Sequence, residues 1–180
     1  MGKTALAEIL AEKFQAICIS TDSVKLFARA AGYGNAFTFT DSHNAWKKFG
    51  LKTSANIIKG FQAHNRVLEK LIIDIIKRAD DISQHLIIEG VQITPGIFKQ
   101  LPDKKIAFYL DLPDQKTHFK IFAKKNSTRK IANKMWYENY DAIKIINGYA
   151  KKSCRRAGFR IVKSIPTKIL AKRLVKQIKI

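Results

Sequence analysis

Acid is scarce in this chain: 14 Asp and Glu stand against 34 Lys and Arg in 180 residues, a formal net charge of +20. Such a balance attracts polyanions, whether nucleic acid, anionic membrane or phosphorylated small molecules. Cysteine is nearly absent, with Cys18 and Cys154 far apart and neither in a C-x-x-C pair. That argues against a disulfide scaffold and for a reduced, cytoplasmic setting. No apolar run approaches the roughly 18 residues that mark a membrane span, and no apolar h-region marks a signal peptide. Internal repeats and low-complexity linkers are also lacking.

What remains suits one domain over 1–180, with 46% hydrophobic residues available for a core. The positive charge is unevenly spread. Residues 116–137 hold seven basic side chains and no acid, and 151–180 hold eleven and no acid. Part of this is compositional, since abundant Lys and Ile together look like the imprint of an AT-rich genome, and many lysines fall on solvated helix faces.

Hydrophobic periodicity orders the elements. Leu6, Ile9, Leu10 and Phe14 mark a first helix, and 16–20 a buried strand that ends in Thr21-Asp22-Ser23. A helix from about Val24 to Ala31 follows, then an irregular aromatic stretch over 33–50 with Phe37, Phe39 and Trp46 as anchors. The longest helical pattern runs from Thr53 to about Asp80, with Gly60 as its weak point. Further strands are expected at 86–90, 105–110 and 158–162, with helices at 115–130, 136–157 and 166–180 and a short one after Pro95-Gly96. Strands alternating with helices imply an α/β fold with a parallel sheet covered on both faces.

The chemistry gathers where such strands end. Gly2-Lys3-Thr4 matches the last three positions of the phosphate-binding loop G-x-x-x-x-G-K-[ST] and runs directly into a helix. Backbone N–H groups at a helix N-terminus hold phosphate oxygens. Lys3 would reach the β- and γ-phosphates, and the Thr4 hydroxyl would ligate Mg²⁺. Asp22 follows the first visible strand, and Glu89 ends the second where a metal-side carboxylate belongs. The bland roles are a helix cap for Asp22 and a plain strand-end acid for Glu89. Lys120, Lys124, Lys125 and Arg129 in a segment of about 115–134 make a cationic lid candidate, or a solvated face. His43, His64, His85 and His118 show no metal-ligand spacing.

The ordered set Gly-Lys-Thr, Ser-Thr-Asp-Ser-Val-Lys (20–25), Gly60-Phe61 and Ile-Ile-Glu-Gly-Val-Gln-Ile-Thr-Pro-Gly (87–96) resembles archaeal-type 2-phosphoglycerate kinase. The resemblance runs across nearly the whole chain, and Glu-Gly-Val-x-x-x-Pro-Gly is its most specific piece. It implies a three-layer P-loop kinase fold that uses ATP and Mg²⁺ to phosphorylate a small hydroxy-acid phosphate. It also implies roles for Gly2, Lys3 and Thr4 at the phosphates, Thr4 and Glu89 at the metal, and Asp22 as a catalytic or substrate carboxylate. On the same reading Arg29 or Lys25 would bind the substrate anion, and Arg129, in the lid candidate, would act on the transferring group. Lys25 stands where that family usually has Arg, and Gln92 where it favours His. The strand and first glycine that open such a loop do not precede Gly2 here, so the first core strand is expected to be missing, with Met1 an internal loop residue or the chain a decayed remnant. The runner-up function is a basic nucleic-acid-binding or catalytically inactive remnant of a P-loop kinase. Within the kinase class, a nucleoside, an antibiotic or a peptidoglycan sugar are the other acceptors.

Overall fold

Ser20 ends one element and begins the next. It is the last residue of strand β1 (Ile17–Ser20), and its hydroxyl accepts the amide of Asp22 at 3.3 Å to cap helix α2 (Thr21–Ala30). The helix therefore starts three residues before the expected Val24, and the cap is Ser20 rather than Asp22. The computed structural model describes residues 2–33, 40–101, 105–111, 114, 116–117 and 138–178.

Helix α1 (Lys3–Phe14) precedes β1, and helix α3 (Ser54–Asp81) follows α2. Thr53 caps α3 by accepting the Asn56 amide, and Ile57, Phe61, Leu68 and Ile72 form its buried stripe. Gly60 is not a weak point. It is buried, and a Cβ there would lie 2.4 Å from Trp46 N and 2.6 Å from the Ala45 carbonyl carbon. The backbone of a 3-10 turn over Ala45–Phe49 thus rests directly on α3. Asn56 Nδ2 ties the same segment down by donating to the carbonyls of Phe49 and Leu51, both at 3.0 Å.

Strand β2 (Leu86–Glu89) runs parallel to β1, in a register from Ile17↔Leu86 to Ser20↔Glu89. Helix α4 (Pro95–Lys99) follows. Strand β3 (Phe108–Asp111) pairs in parallel with β4 (Arg160–Lys163), and helices α5 (Tyr140–Arg156) and α6 (Thr167–Val175) complete the order. The expected α/β alternation with parallel pairing is present. The continuous sheet is not: among the described residues the strands form two separate parallel pairs, β1–β2 and β3–β4. β3 starts at Phe108 rather than Lys105, and α6 ends at Val175. Of the helix expected over 115–130, only Lys116 and Thr117 fall among the described residues.

Two apolar clusters hold these parts together. Val24 and Ala28 of α2, Leu68, Ile72 and Ile73 of α3, and Ile97 of α4 form one, with Ile19 and Ile88 packed against it. Leu6 and Leu10 of α1 and Leu170, Ala171 and Leu174 of α6 form the other, with Ile87, Phe108, Leu110 and Val162 against it. Neighbours Ile87 and Ile88 join opposite clusters because side chains alternate along a strand. Both faces of β2 are therefore covered, which explains its unbroken apolar run. Helix α5 lies on α3 and β3. Its Tyr149 meets Phe61 edge-on with ring centroids 6.3 Å apart, and its Lys151 pairs with Asp111 at 2.5 Å. Leu174 is 1% exposed, so Leu174→Ala is expected to lower stability by about 2–5 kcal/mol in urea titrations. Among the described residues, no helix is long and apolar enough to cross a membrane.

Candidate functional site

The amino end of α1 is the centre of the site. Gly2 caps the helix with left-handed backbone, no side chain caps it, and no acid stands in its first turn. The helical ladder starts with the Leu6 amide on the Gly2 carbonyl at 2.9 Å, so the amides of Lys3, Thr4 and Ala5 precede it and face outward. Thr4 Oγ1 donates to Glu89 Oε1 at 3.0 Å, across 85 residues of chain. Glu89 is the last residue of β2 and lies in register with Ser20, two residues before Asp22. A Cβ on Gly2 would stand 2.8 Å from Thr167 Oγ1. The start of α6, just past β4, therefore borders the same point, and Lys3 lines the mouth of a cleft beside it. Gly2, Lys3, Thr4, Glu89 and Asp22 are thus gathered at the carboxyl ends of β1 and β2.

Asp22 is mostly exposed. Lys25 is 13% exposed and sits between two carboxylates, Asp22 at 3.8 Å and Asp41 at 3.9 Å. Arg29 lies one turn further along α2 and is half-buried. Arg129, Lys120, Lys124 and Lys125, with nearly all of the expected lid, lie outside the described residues.

Composition and periodicity did not point to a buried polar layer behind these groups. Thr21 and Gln92 are 0% and 1% exposed, and the Thr21 hydroxyl donates to Gln92 Oε1. Gln92, a departure from the resembled family, thus has a local role as a buried acceptor. Asn65, also buried, donates from Nδ2 to the Val91 carbonyl at 3.4 Å, while its Oδ1 makes no hydrogen bond among the described residues. Gln62 Nε2 donates to the Tyr149 hydroxyl at 2.6 Å. The one signal available in the sequence was the run of polar positions (His64, Asn65) inside an otherwise apolar helix stripe.

His43 stands at the cleft mouth and titrates low. Burial is the main cause; Asp41 opposes it, and Lys25 and Lys47 add to it. The unfolded imidazole takes its proton near pH 6.5, the folded one at lower pH. Between those values the unfolded chain binds more protons, so stability rises with pH and the gain is complete above about 6.5. Thermal melts are expected to show a drop in Tm as pH falls through this window, and His43→Asn is expected to flatten it.

Among the described residues, no three His, Cys, Asp or Glu side chains cluster to hold a metal by themselves. Mg²⁺ does not require that, since it is commonly held by one or two protein oxygens plus phosphate and water. The Thr4 hydroxyl and Glu89 carboxylate, in contact beside uncapped helix amides, fit such a shared site. Both cysteines are free, and burial pushes the Cys154 thiol up to about 11. It is a poor nucleophile at neutral pH.

No family profile matches the chain, and no solved structure matches it. Two curated proteins do. One is a 2-phosphoglycerate kinase of Methanocaldococcus jannaschii, 23% identical over 152 residues, covering 82% of this chain and 49% of the relative. The other is a mevalonate-3-phosphate 5-kinase of Thermoplasma acidophilum, 29% identical over 118 residues, covering 63% of this chain and 58% of the relative. The chain spans about half the length of these relatives. Both are kinases acting on different phosphorylated small molecules, and their similarity supports a kinase-like, phosphotransferase family for this chain without specifying a substrate.

Proposed function

We propose that the chain is part of a P-loop kinase of three-layer α/β form that transfers the ATP γ-phosphoryl group to a small phosphorylated hydroxy acid. The observation that carries this is the Thr4–Glu89 contact at the uncapped start of α1. In this reading the outward amides of residues 3–5 and the Lys3 ammonium hold phosphate oxygens. Thr4 and Glu89 would hold Mg²⁺, which would supply charge neutralisation on the triphosphate. Asp22 accepts the acceptor hydroxyl's hydrogen bond and takes its proton as the oxygen attacks the γ-phosphorus. Lys25 keeps Asp22 in place and, with Arg29, faces the acceptor's anionic groups.

The test is calorimetry with Mg-ATP on a chain whose loop is completed upstream of Gly2, followed by a product assay over phosphorylated hydroxy acids, mevalonate phosphates, nucleosides and sugars. Binding heat that disappears on adding EDTA is expected, with turnover of a phosphorylated acceptor. Absence of Mg-ATP binding by that completed chain refutes the proposal.

A further inference from the structure

Asn65 stands where helix α3 should carry an apolar residue. The buried stripe runs through Ile57, Phe61, Leu68 and Ile72, and the steps of four and three residues that build it land on 65 between Phe61 and Leu68. Asn65 is 2% exposed. Its Nδ2 donates to the Val91 carbonyl at 3.4 Å. A carbonyl only accepts, so the amide is oriented with Oδ1 at the other end. That Oδ1 has no hydrogen-bond partner among the described residues. A buried acceptor without a donor costs stability, and a leucine here would complete the stripe without that cost. Packing therefore does not account for the asparagine.

The missing donor can come from the cleft. Asn65 lines a cavity of about 1710 Å³ whose mouth holds Lys3 and Glu89. Gln62, Arg66 and Glu69 line it as well, and with Asn65 they share one face of α3. Val91, which holds Asn65, is two residues past Glu89, so this face adjoins the candidate phosphate and metal site. Arg66 is exposed and makes no ion pair among the described residues. Lys25, by contrast, is already placed between Asp22 and Asp41. On the facing helix α5 the Tyr149 hydroxyl accepts from Gln62 at 2.6 Å, which leaves its own proton for a ligand oxygen.

We propose that Asn65 and Arg66 form a subsite for an anionic polyol. Asn65 Oδ1 accepts a hydroxyl other than the one phosphorylated, and the Arg66 guanidinium pairs with a phosphate or carboxylate of the same molecule. Naming that molecule the phosphoryl acceptor rests on the kinase reading; binding it does not. An acceptor with a single hydroxyl, given to Asp22, leaves Oδ1 stranded. A site built to bond a hydroxyl rejects the analogue that lacks it, because its own buried polar atom stays unpaired. The planar fork of Arg66 suits the two oxygens of the anion. The chain thus selects its ligand by a second hydroxyl.

The test is an NMR titration of the 180-residue chain, without nucleotide, using two matched pairs. One is glycerol 2-phosphate against propane-1,2-diol 2-phosphate; the other is ribose 5-phosphate against 2-deoxyribose 5-phosphate. The members of each pair differ by one hydroxyl. Kd is read from the Val91 backbone amide and, in the parent, from the Asn65 side-chain amide. In at least one pair the hydroxyl-bearing member is expected to bind about 10–100-fold more tightly. Asn65→Leu should equalise that pair while Tm holds or rises. Arg66→Met should weaken both members by about 10-fold with their ratio kept. Should Asn65→Leu fail to fold, the parent's ratio and Arg66→Met decide. Equal binding of both members by the parent, with a water satisfying Oδ1, overturns the proposal. So does the absence of binding by all four probes at millimolar concentration, a ratio that survives Asn65→Leu, or an Arg66→Met chain that binds like the parent. Discrimination in binding without phosphoryl transfer from Mg-ATP sinks the kinase reading alone. Transfer to both members of each pair with equal kcat/KM sinks the subsite alone.

Discussion

Gly90→Ala is expected to be the most disruptive small substitution in this protein. Gly90 follows β2 with φ +148, a conformation that side chains rarely adopt. A Cβ there would fall 1.5 Å from Thr21 Oγ1 and 2.8 Å from Thr21 Cβ. Thr21 has nowhere to go, since it is 0% exposed and bonded to a Gln92 that is 1% exposed. Overpacking of a tight site costs about 1–3 kcal/mol, and backbone strain of this kind about 1–3 more. Together these approach the lower end of a domain's whole stability, about 5–15 kcal/mol. Thermal unfolding should show Tm lower by roughly 5–20 °C at 2–4 °C per kcal/mol, or no folded protein. Gly148→Ala is the control: that glycine is exposed in the middle of α5 and has nothing within 4 Å of an added Cβ. It should gain about 0.5–1 kcal/mol. A mild effect at Gly90 would mean that β1 and β2 do not end as close together as described.

Lys3→Ala is expected to have the largest effect on activity. Lys3 precedes the helical ladder of α1 and faces the cleft mouth beside Thr4 and Glu89. In the proposed reaction its ammonium meets charge that grows on the γ-phosphoryl group as the bond to the leaving oxygen breaks. Removing one such preorganised donor typically costs about 10²–10³ in kcat. Steady-state kinetics with Mg-ATP on the completed chain should show that loss while Tm stays unchanged, because Lys3 belongs to neither apolar cluster. Glu89→Gln should shift the Mg²⁺ dependence to higher concentration. Full turnover by Lys3→Ala would remove Lys3 from the reaction.

Much of the local order was legible without coordinates. The stripe Ile57, Phe61, Leu68, Ile72 announced α3, and the apolar runs in 16–20 and 86–90 announced parallel strands, because periodicity reflects which side of an element meets the core. Boundaries were less legible. The start of α2 was misplaced because either Ser20 or Asp22 can cap a helix, and only geometry shows which oxygen meets the amide. Gly60 was misread for a related reason: helix propensity penalises glycine, yet here the missing side chain makes room for the backbone of Ala45 and Trp46. The Thr21–Gln92 pair had no local sign at all.

The amino-acid sequence alone determined the order of helices and strands, the apolar faces and the basic charge, since each depends on a residue and its near neighbours. The tertiary structure decided which strand edges pair, that residues of β2 and β3 line one cleft, and that Thr4 touches Glu89 85 residues away. Those depend on long-range packing, and side-chain alternation along a strand states which faces are buried but not which edge finds a partner.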